Sequence, residues 1–387
     1  MIYLDNAATT KIDKNVLDAM MPYLTDYYGN PGTLYEFGQE SAKAVWKARE
    51  QVADLINAEP ENIIFTSGGT EANNLVIRGF QDYLPDHINN LVFVTSSIEH
   101  DSIMNINWIS PRVKIRRVNP GSDGKINPED IRAVLRNENV ALVSVMHTNN
   151  ETGIVNDIKA IGEICNKADV YFHTDCVQAA SYSKLDVEEF QCDFLSLSSH
   201  KIHGPKGVGA LYVRDRDKLM PIIRGGKDQE FGLRAGTENV AGIVGFGKAC
   251  EILSKGLDGD RKSIDHSIRV FQERLESNLA KDGLSDIMHI NGSGGKVLNL
   301  RFDDVDGETL LLMLDAAGVC VSAGSACRSH ESEPSYVLRA MGIDDEDARN
   351  SIRVSVSSMS YEEEMFEAAD RVAKCVKEIY NQGGVML

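Results

Sequence analysis

Ser198-Ser199-His200-Lys201 sets a lysine amine among small and polar neighbours, and segments elsewhere in the chain carry chemistry that complements it. Upstream stand Ser67-Gly68-Gly69-Thr70-Glu71, His100 and His173-Thr174-Asp175-Cys176-Val177-Gln178; downstream stands Ser322-Ala323-Gly324-Ser325-Ala326-Cys327. Together they offer an amine, a cup of backbone N–H groups for an anion, an imidazole that can lie on a ring, a carboxylate, and a thiol in a small-residue loop. An aldehyde cofactor with a pyridine ring and a phosphate, pyridoxal phosphate, would use every one of these. The thiol would then serve as a sulfur-accepting nucleophile.

Each residue has its own argument. Lys201 follows a strand-like run and precedes Gly204-Pro205-Lys206-Gly207. A partly buried lysine in such a turn can be neutral and nucleophilic. Lys206 is the competing candidate; standing beyond the Gly-Pro break, it reads as support for the turn. Ser67–Thr70 lies between a strand and a helix start, where first-turn N–H groups bind phosphate without a basic side chain. A plain tight turn with Thr70 as N-cap is the alternative. Ser198 and His200 could complete the cup.

Asp175 ends a strand, and a carboxylate there would keep a pyridine nitrogen protonated and the ring electron-accepting. Gln178 could reach the cofactor's phenolic oxygen. His100 could stack on the ring and move protons, although a lone histidine is more often structural. Asn150, within His147–Gly153, and Arg353, within Ser351–Ser355, could grip a carboxylate, for which arginine is suited. Arg328 and His330 close to Cys327 favour a thiolate, whereas Cys165, Cys250 and Cys320 suit packing better. Gly292-Ser293-Gly294-Gly295-Lys296 looks like a nucleotide loop, but its spacing is wrong and a strand follows it, so it reads as a turn.

These residues need a scaffold that brings loop ends together. Strand-like runs at Asn62–Phe65, Leu91–Val94, Val140–Met146, Val170–His173 and Asp193–Leu197 alternate with helical patterns such as Glu71–Phe80 and Ile158–Lys167. That alternation predicts a mostly parallel, doubly wound α/β sheet with helices on both faces. Ligands on such sheets bind at the carboxyl ends of strands, where the polar motifs fall. Around Gly256–Asp260 the texture changes to a long charged helix (about Ser263–Lys281), a strand (Val297–Phe302), a helix (Gly307–Ala316), a short strand near Val319, a strand (Ser351–Val356) and an amphipathic helix (Tyr361–Tyr380). The expected division is a large cofactor-binding domain at 13–257. A smaller α/β domain is expected from 1–12 and 258–387, carrying the cysteine loop.

The bulk numbers narrow the function classes. The chain has 387 residues, 42% hydrophobic and 25% charged, with a formal net charge of −18. This is an ordinary globular composition, and its acidity argues against nucleic acid as a direct partner. Met1–Asp5 runs straight into an apolar strand, so no secretory signal is expected. No apolar run approaches the roughly 18 residues of a membrane span. Seven cysteines without a C-x-x-C pair predict a reducing, cytoplasmic setting, and neither disulfides nor a metal site.

In this order the motifs resemble the NifS/IscS-type cysteine desulfurases of the class V aminotransferase family, fold-type I pyridoxal-phosphate enzymes. The resemblance runs from Tyr3-Leu4-Asp5-Asn6-Ala7-Ala8-Thr9-Thr10 to Glu362. It takes in Gly29-Asn30-Pro31, Arg234-Ala235-Gly236-Thr237-Glu238-Asn239 and Glu333-Pro334-Ser335-Tyr336. It implies a homodimer that converts L-cysteine to L-alanine and leaves the sulfur as a persulfide on Cys327. An acceptor protein serving iron–sulfur cluster assembly, tRNA thiolation or cofactor thiolation would then collect it. Lys201 would link to the cofactor and act as general base. Gly69, Thr70, Ser198 and His200 would hold the phosphate, with Thr237 added across the dimer interface. Asp175, Gln178 and His100 would manage the ring, and Asn150 and Arg353 the substrate carboxylate. Another class V enzyme, a selenocysteine lyase or an aminotransferase, is the alternative. Tyr35, Cys176, a longer Gly225–Glu230 segment and a short tail after Glu362 depart from the family pattern, and the tail puts scaffold docking in question.

Overall fold

The computed structural model describes residues 1–85, 87–106, 110–323 and 334–383. Its strands, in chain order, are β1 (Ile2–Tyr3), β2 (Ile63–Thr66), β3 (Leu91–Ser96), β4 (Val113–Val118), β5 (Val140–Ser144), β6 (Tyr171–Asp175), β7 (Phe194–Ser198), β8 (Gly209–Val213), β9 (Met288–Gly294), β10 (Val297–Phe302), β11 (Val319–Cys320) and β12 (Ser351–Ser355). Seven of them form one sheet in the order β2-β8-β7-β6-β5-β3-β4. Contacts among β7, β6, β5, β3 and β4 are parallel, and β8 alone runs against its two neighbours.

Successive residues of a strand point to opposite faces, and here both faces are apolar. Val92 and Val94 enter one core while Leu91 and Phe93 enter another; Ala210 and Tyr212 separate from Leu211 and Val213 in the same way. A sheet covered on both sides cannot bind ligand on a face. Its chemistry must sit at the ends of its strands.

A second, three-stranded antiparallel sheet has the order β12-β10-β9. Here the alternation separates apolar from polar. Leu298, Leu300 and Phe302 with Ile352 and Val354 join a third core, with Phe271, Leu275 and Met365 from helices. The opposite face presents Asn299, Ser351, Arg353 and Ser355. Asn299 donates to the carbonyl of Glu151 (3.1 Å), which ties that polar face to the loop after β5.

One helix, Val240–Lys281, runs through both units. At 1.5 Å per residue it is about 63 Å long. Phe246, Cys250 and Leu253 belong to the first core, and Ile264, Phe271 and Leu275 to the third. The boundary expected near Leu257 therefore falls inside a continuous helix. Val337, Leu338, Met341 and Ala348, late in the chain, pack with the first core.

Residues 2–10 lace the two units together. β1 pairs with β11, the amide of Ala7 donates to Ser355 Oγ (2.8 Å) and Asn6 Nδ2 to the Ser355 carbonyl (3.0 Å), and the amide of Thr10 donates to the His200 carbonyl (2.9 Å).

Candidate active site

The carboxyl ends of β2, β3, β5, β6 and β7 surround a cavity of about 420 Å³. Gly69, Thr70, His100, Asn150, Asp175, Gln178, Ser198, His200, Lys201 and Arg353 all line it. Thr237 does not: it is exposed in the turn before the long helix. Cys327 lies outside the described residues.

The turn after β2 makes the anion cup. Gly68 has φ 154° and ψ −178°, a conformation essentially confined to glycine. It opens the helix Gly69–Tyr83 with no side chain capping the first turn, so the first-turn amides remain available as donors. A Cβ on Gly69 would lie 2.6 Å from Val177 Cγ2, so a glycine is needed where this turn meets the loop after β6. Ser67 N–H is already taken by Glu71 Oε2 (2.8 Å), and Glu71 Oε1 is held by Arg234 (3.0 Å). Glu71 is thereby kept below the ordinary carboxylate range despite its burial.

Asp175 is fixed on both oxygens. Oδ1 accepts from the Val177 amide (2.9 Å) and Oδ2 from Asn73 Nδ2 (2.7 Å). Sequence reasoning missed Asn73. Its signal was a polar residue on the face shared by Ala72, Leu75 and Val76 in an amphipathic helix. Gln178 Nε2 donates to the Ala7 carbonyl (2.9 Å), and its Oε1 is buried with no protein partner. Nδ1 of His100 accepts from the Ser102 amide (3.1 Å), so the ring proton belongs on Nε2. His200 hydrogen-bonds Thr9 Oγ1 through Nδ1 (3.1 Å). Burial, with Lys201, Lys296 and Lys206 nearby, pulls its pKa down to about 4, which leaves the imidazole neutral at neutral pH.

Lys201 closes the short 3-10 turn Ser199–Lys201 after β7. Its Nζ donates to the carbonyls of Ala7 (2.5 Å) and Ala8 (2.6 Å), two acceptors that the sequence alone did not identify. Arg353, 2% exposed, reaches in from β12. Nη1 donates to the Asn150 carbonyl (2.9 Å), and Nη2 to Asp5 Oδ1 (2.7 Å) and Ser322 Oγ (3.2 Å). Asp5 and Ser322 are thus positioning residues beyond the sequence expectation. Cys176 follows Asp175 yet is wholly buried and does not line the cavity; burial raises its thiol far above the ordinary range.

The donor set fits pyridoxal phosphate. Buried polar atoms without protein partners include Asn73 Oδ1, Asn150 Oδ1, Gln178 Oε1 and Arg353 Nε, each on a residue that lines this cavity. Unmet buried polar atoms mark places where a ligand supplies the missing bond. A free helix start for a phosphate, a doubly anchored carboxylate for a ring nitrogen and an amine for an aldehyde complete the match. No group of His, Cys, Asp and Glu among the described residues could hold a metal. No described helix is long and apolar enough to cross a membrane.

The chain is similar to known proteins over nearly its whole length. Residues 2–366 match the family model "Aminotransferase class-V". "Cysteine desulfurase IscS" of Methanosarcina thermophila is 40% identical over 384 residues, covering 98% of this chain and 91% of that protein. "Cysteine desulfurase" of Mus musculus is 41% identical over 388 residues, covering 98% and 82%. Among solved structures, a NifS-like protein from Rickettsia africae superposes with a TM-score of 0.83 at 30% identity, over 98% of this chain and 99% of that one. A structure titled "SspA in complex with cysteine" superposes with a TM-score of 0.75 at 30% identity, over 93% and 100%. With its site at the strand ends and these relatives over nearly its whole length, the chain belongs to the aminotransferase class-V family of pyridoxal-phosphate enzymes and, within it, to the cysteine desulfurases.

Proposed function

We propose that this cysteine desulfurase takes sulfur from L-cysteine at the cavity beside Lys201 and passes it on through Cys327. The observation that carries the reading is the convergence of ten separately placed residues on one cavity at the strand ends. When bound, pyridoxal phosphate supplies an electron sink that loosens bonds at the substrate's α- and β-carbons. Gly69, Thr70, Ser198 and His200 would hold its phosphate, Asp175 its ring nitrogen, Gln178 its phenolic oxygen and Lys201 its aldehyde carbon. His100 lies on the cavity wall, where an imidazole can stack on the ring and carry a proton.

Arg353 and Asn150 bind the substrate carboxylate. The Arg353 guanidinium is already oriented by Asp5 and Ser322, so little side-chain entropy is lost on binding. The Lys201 amine would move the α proton. Cys327 accepts the sulfur: its thiolate forms an S–S bond as the substrate's β C–S bond breaks, and the proton it gave up is made good on the methyl group of alanine. A thiol on an acceptor protein then takes the outer sulfur. Thr237 completes the phosphate site from the second subunit of a homodimer, and the enzyme works in a reducing cytoplasm on a protein acceptor.

A Cys327→Ser variant tests the route. It is expected to keep the cofactor's visible absorbance while losing at least about 100-fold in sulfide release and alanine formation from L-cysteine. Undiminished turnover in that variant overturns the persulfide step.

A further inference from the structure

Lys296 lies in the hairpin turn between β9 and β10, a segment whose glycines resemble a nucleotide loop. It is 3% exposed. Its Nζ donates to the backbone carbonyl of Lys201 (3.0 Å), so one lysine braces the turn that carries the other. Both lysines line a second cavity of about 230 Å³, which shares Lys201 with the first.

A buried ammonium normally sits against a carboxylate. Among the described residues none lies within ion-pair distance of Lys296. What faces it is largely positive or neutral: Lys201, His200 and His203 on the turn after β7, and Arg353 on β12. Across the cavity stand Asp13 and Asp260; Asp260 is hydrogen-bonded to Ser358 and raised by burial.

We propose that Lys296 is a positioning residue for Lys201 and its proton partner, the two amines sharing about one positive charge so that Lys296 gains a proton when the amine of Lys201 is covalently engaged. The assignment rests on Lys201 being the residue that carries the cofactor. Two like charges at close quarters in a buried site do not both persist, and their protons are lost as a coupled pair. Burial, then the charges of Lys201 and Arg353, hold Lys296 down at about 7, so in the cofactor-free protein it is largely uncharged at pH 7.5. Covalent capture of Lys201 ties up the competing charge, and an arriving phosphate adds a negative one. Both changes raise the affinity of Lys296 for a proton. The hydrogen bond to the Lys201 carbonyl survives in either state, since a neutral amine still donates.

The test is a proton count. Pyridoxal phosphate is loaded onto the cofactor-free protein in a calorimeter, in buffers of different ionisation enthalpy, for wild type and Lys296→Gln, which keeps a donor but cannot take a charge. At pH 7.5 the wild type is expected to take up about half a proton more than the variant, for a shift of about one pH unit on Lys296. The difference should vanish near pH 5.5, where Lys296 is charged in both states. Equal counts at pH 7.5 overturn the proposal. If Lys296→Gln does not fold, Lys296→Arg replaces it as the variant whose charge is fixed across this range: the wild type is again expected to take up about half a proton more at pH 7.5, and equal counts overturn the proposal. Borohydride reduction and peptide mapping of the same samples keep the two readings apart. Label on another lysine removes the role given to Lys201, whereas label on Lys201 with equal proton counts removes the role given to Lys296.

Discussion

The two sheets deliver side chains to the cavity by different means. The seven-stranded sheet is apolar on both faces, so it contributes only through its strand ends: Ser198 and Asp175 as last residues, Thr70 in the first turn of the helix after β2, and His100, Asn150 and Lys201 in the connections that follow their strands. The three-stranded sheet has one apolar and one polar face, and it contributes Arg353 from mid-strand, with register partners fixed on β10. A strand end can be rebuilt by changing a loop. A mid-strand side chain is locked by pairing on one edge, and here also by the bridge between Ser322 and Arg353. The large sheet therefore holds the residues proposed for the cofactor and, in Asn150, one proposed for the substrate's carboxylate, while the small sheet adds Arg353 to that carboxylate site.

Three experiments would break or sharpen that division. The largest effect is expected at the strand ends. Lys201→Ala should lose at least about 1,000-fold in alanine formation and the borohydride-stable attachment of cofactor, while circular dichroism shows an intact fold. Retained attachment would move the cofactor role to another lysine. On the small sheet, Arg353→Lys keeps the charge but loses the two-nitrogen grip. Steady-state kinetics should show KM for L-cysteine raised about 10-fold to 100-fold, equivalent to roughly 1.5–3 kcal/mol, with kcat changed less. A fall in kcat at unchanged KM would contradict the assignment of the small sheet to substrate binding.

The smallest effect concerns stability. Burial lowers His147 to about 4 and His173 to about 3, against about 6.5 in an unfolded chain. The unfolded state thus binds protons first as pH falls. The contribution of these groups is complete above about pH 7 and is lost progressively below about 6.5. Glu99 runs the other way: burial raises it to about 8, so its contribution is present at low pH and fades as pH rises through 8. Glu99→Gln should raise the stability of the cofactor-free protein at pH 8 by about 1 kcal/mol relative to its effect at pH 7, read by urea denaturation. An identical effect at both pH values would show that Glu99 is ionised in the folded protein.

The same division explains what the sequence made legible. Residues at strand ends cluster as short polar motifs after apolar runs, and nine of them could be read as one site. Arg353 was legible too, as a polar residue between Ile352 and Val354. Lys296 was not, because burial of a lysine in a glycine-rich turn depends on what the other domain places over it. Asn73 and Asp5 act through Asp175 and Arg353, partners 102 and 348 residues away, and local pattern has no access to such pairs. Among elements, β4 alternates apolar and charged residues at a sheet edge, and β9 (Met288–Gly294) is rich in polar and glycine residues, so neither carries a strong strand signal. The long helix begins at Val240, well before the expected Ser263. Gly242, Gly245, Gly247, Gly256 and Gly259 depress its propensity. Packing outweighs this, since a Cβ at Gly247 would lie 2.6 Å from Ala48 Cα.

The lacing of residues 2–10 has a consequence for how the enzyme is made. Ala7 and Ala8, which receive the Lys201 amine, are held in place through Ser355. A ribosome finishes one side of that seam roughly 350 residues before the other, and at ordinary elongation speeds the wait is on the order of tens of seconds. During that interval the large domain can fold but the Lys201 amine lacks its fixed floor, so cofactor capture is expected late in the life of each molecule.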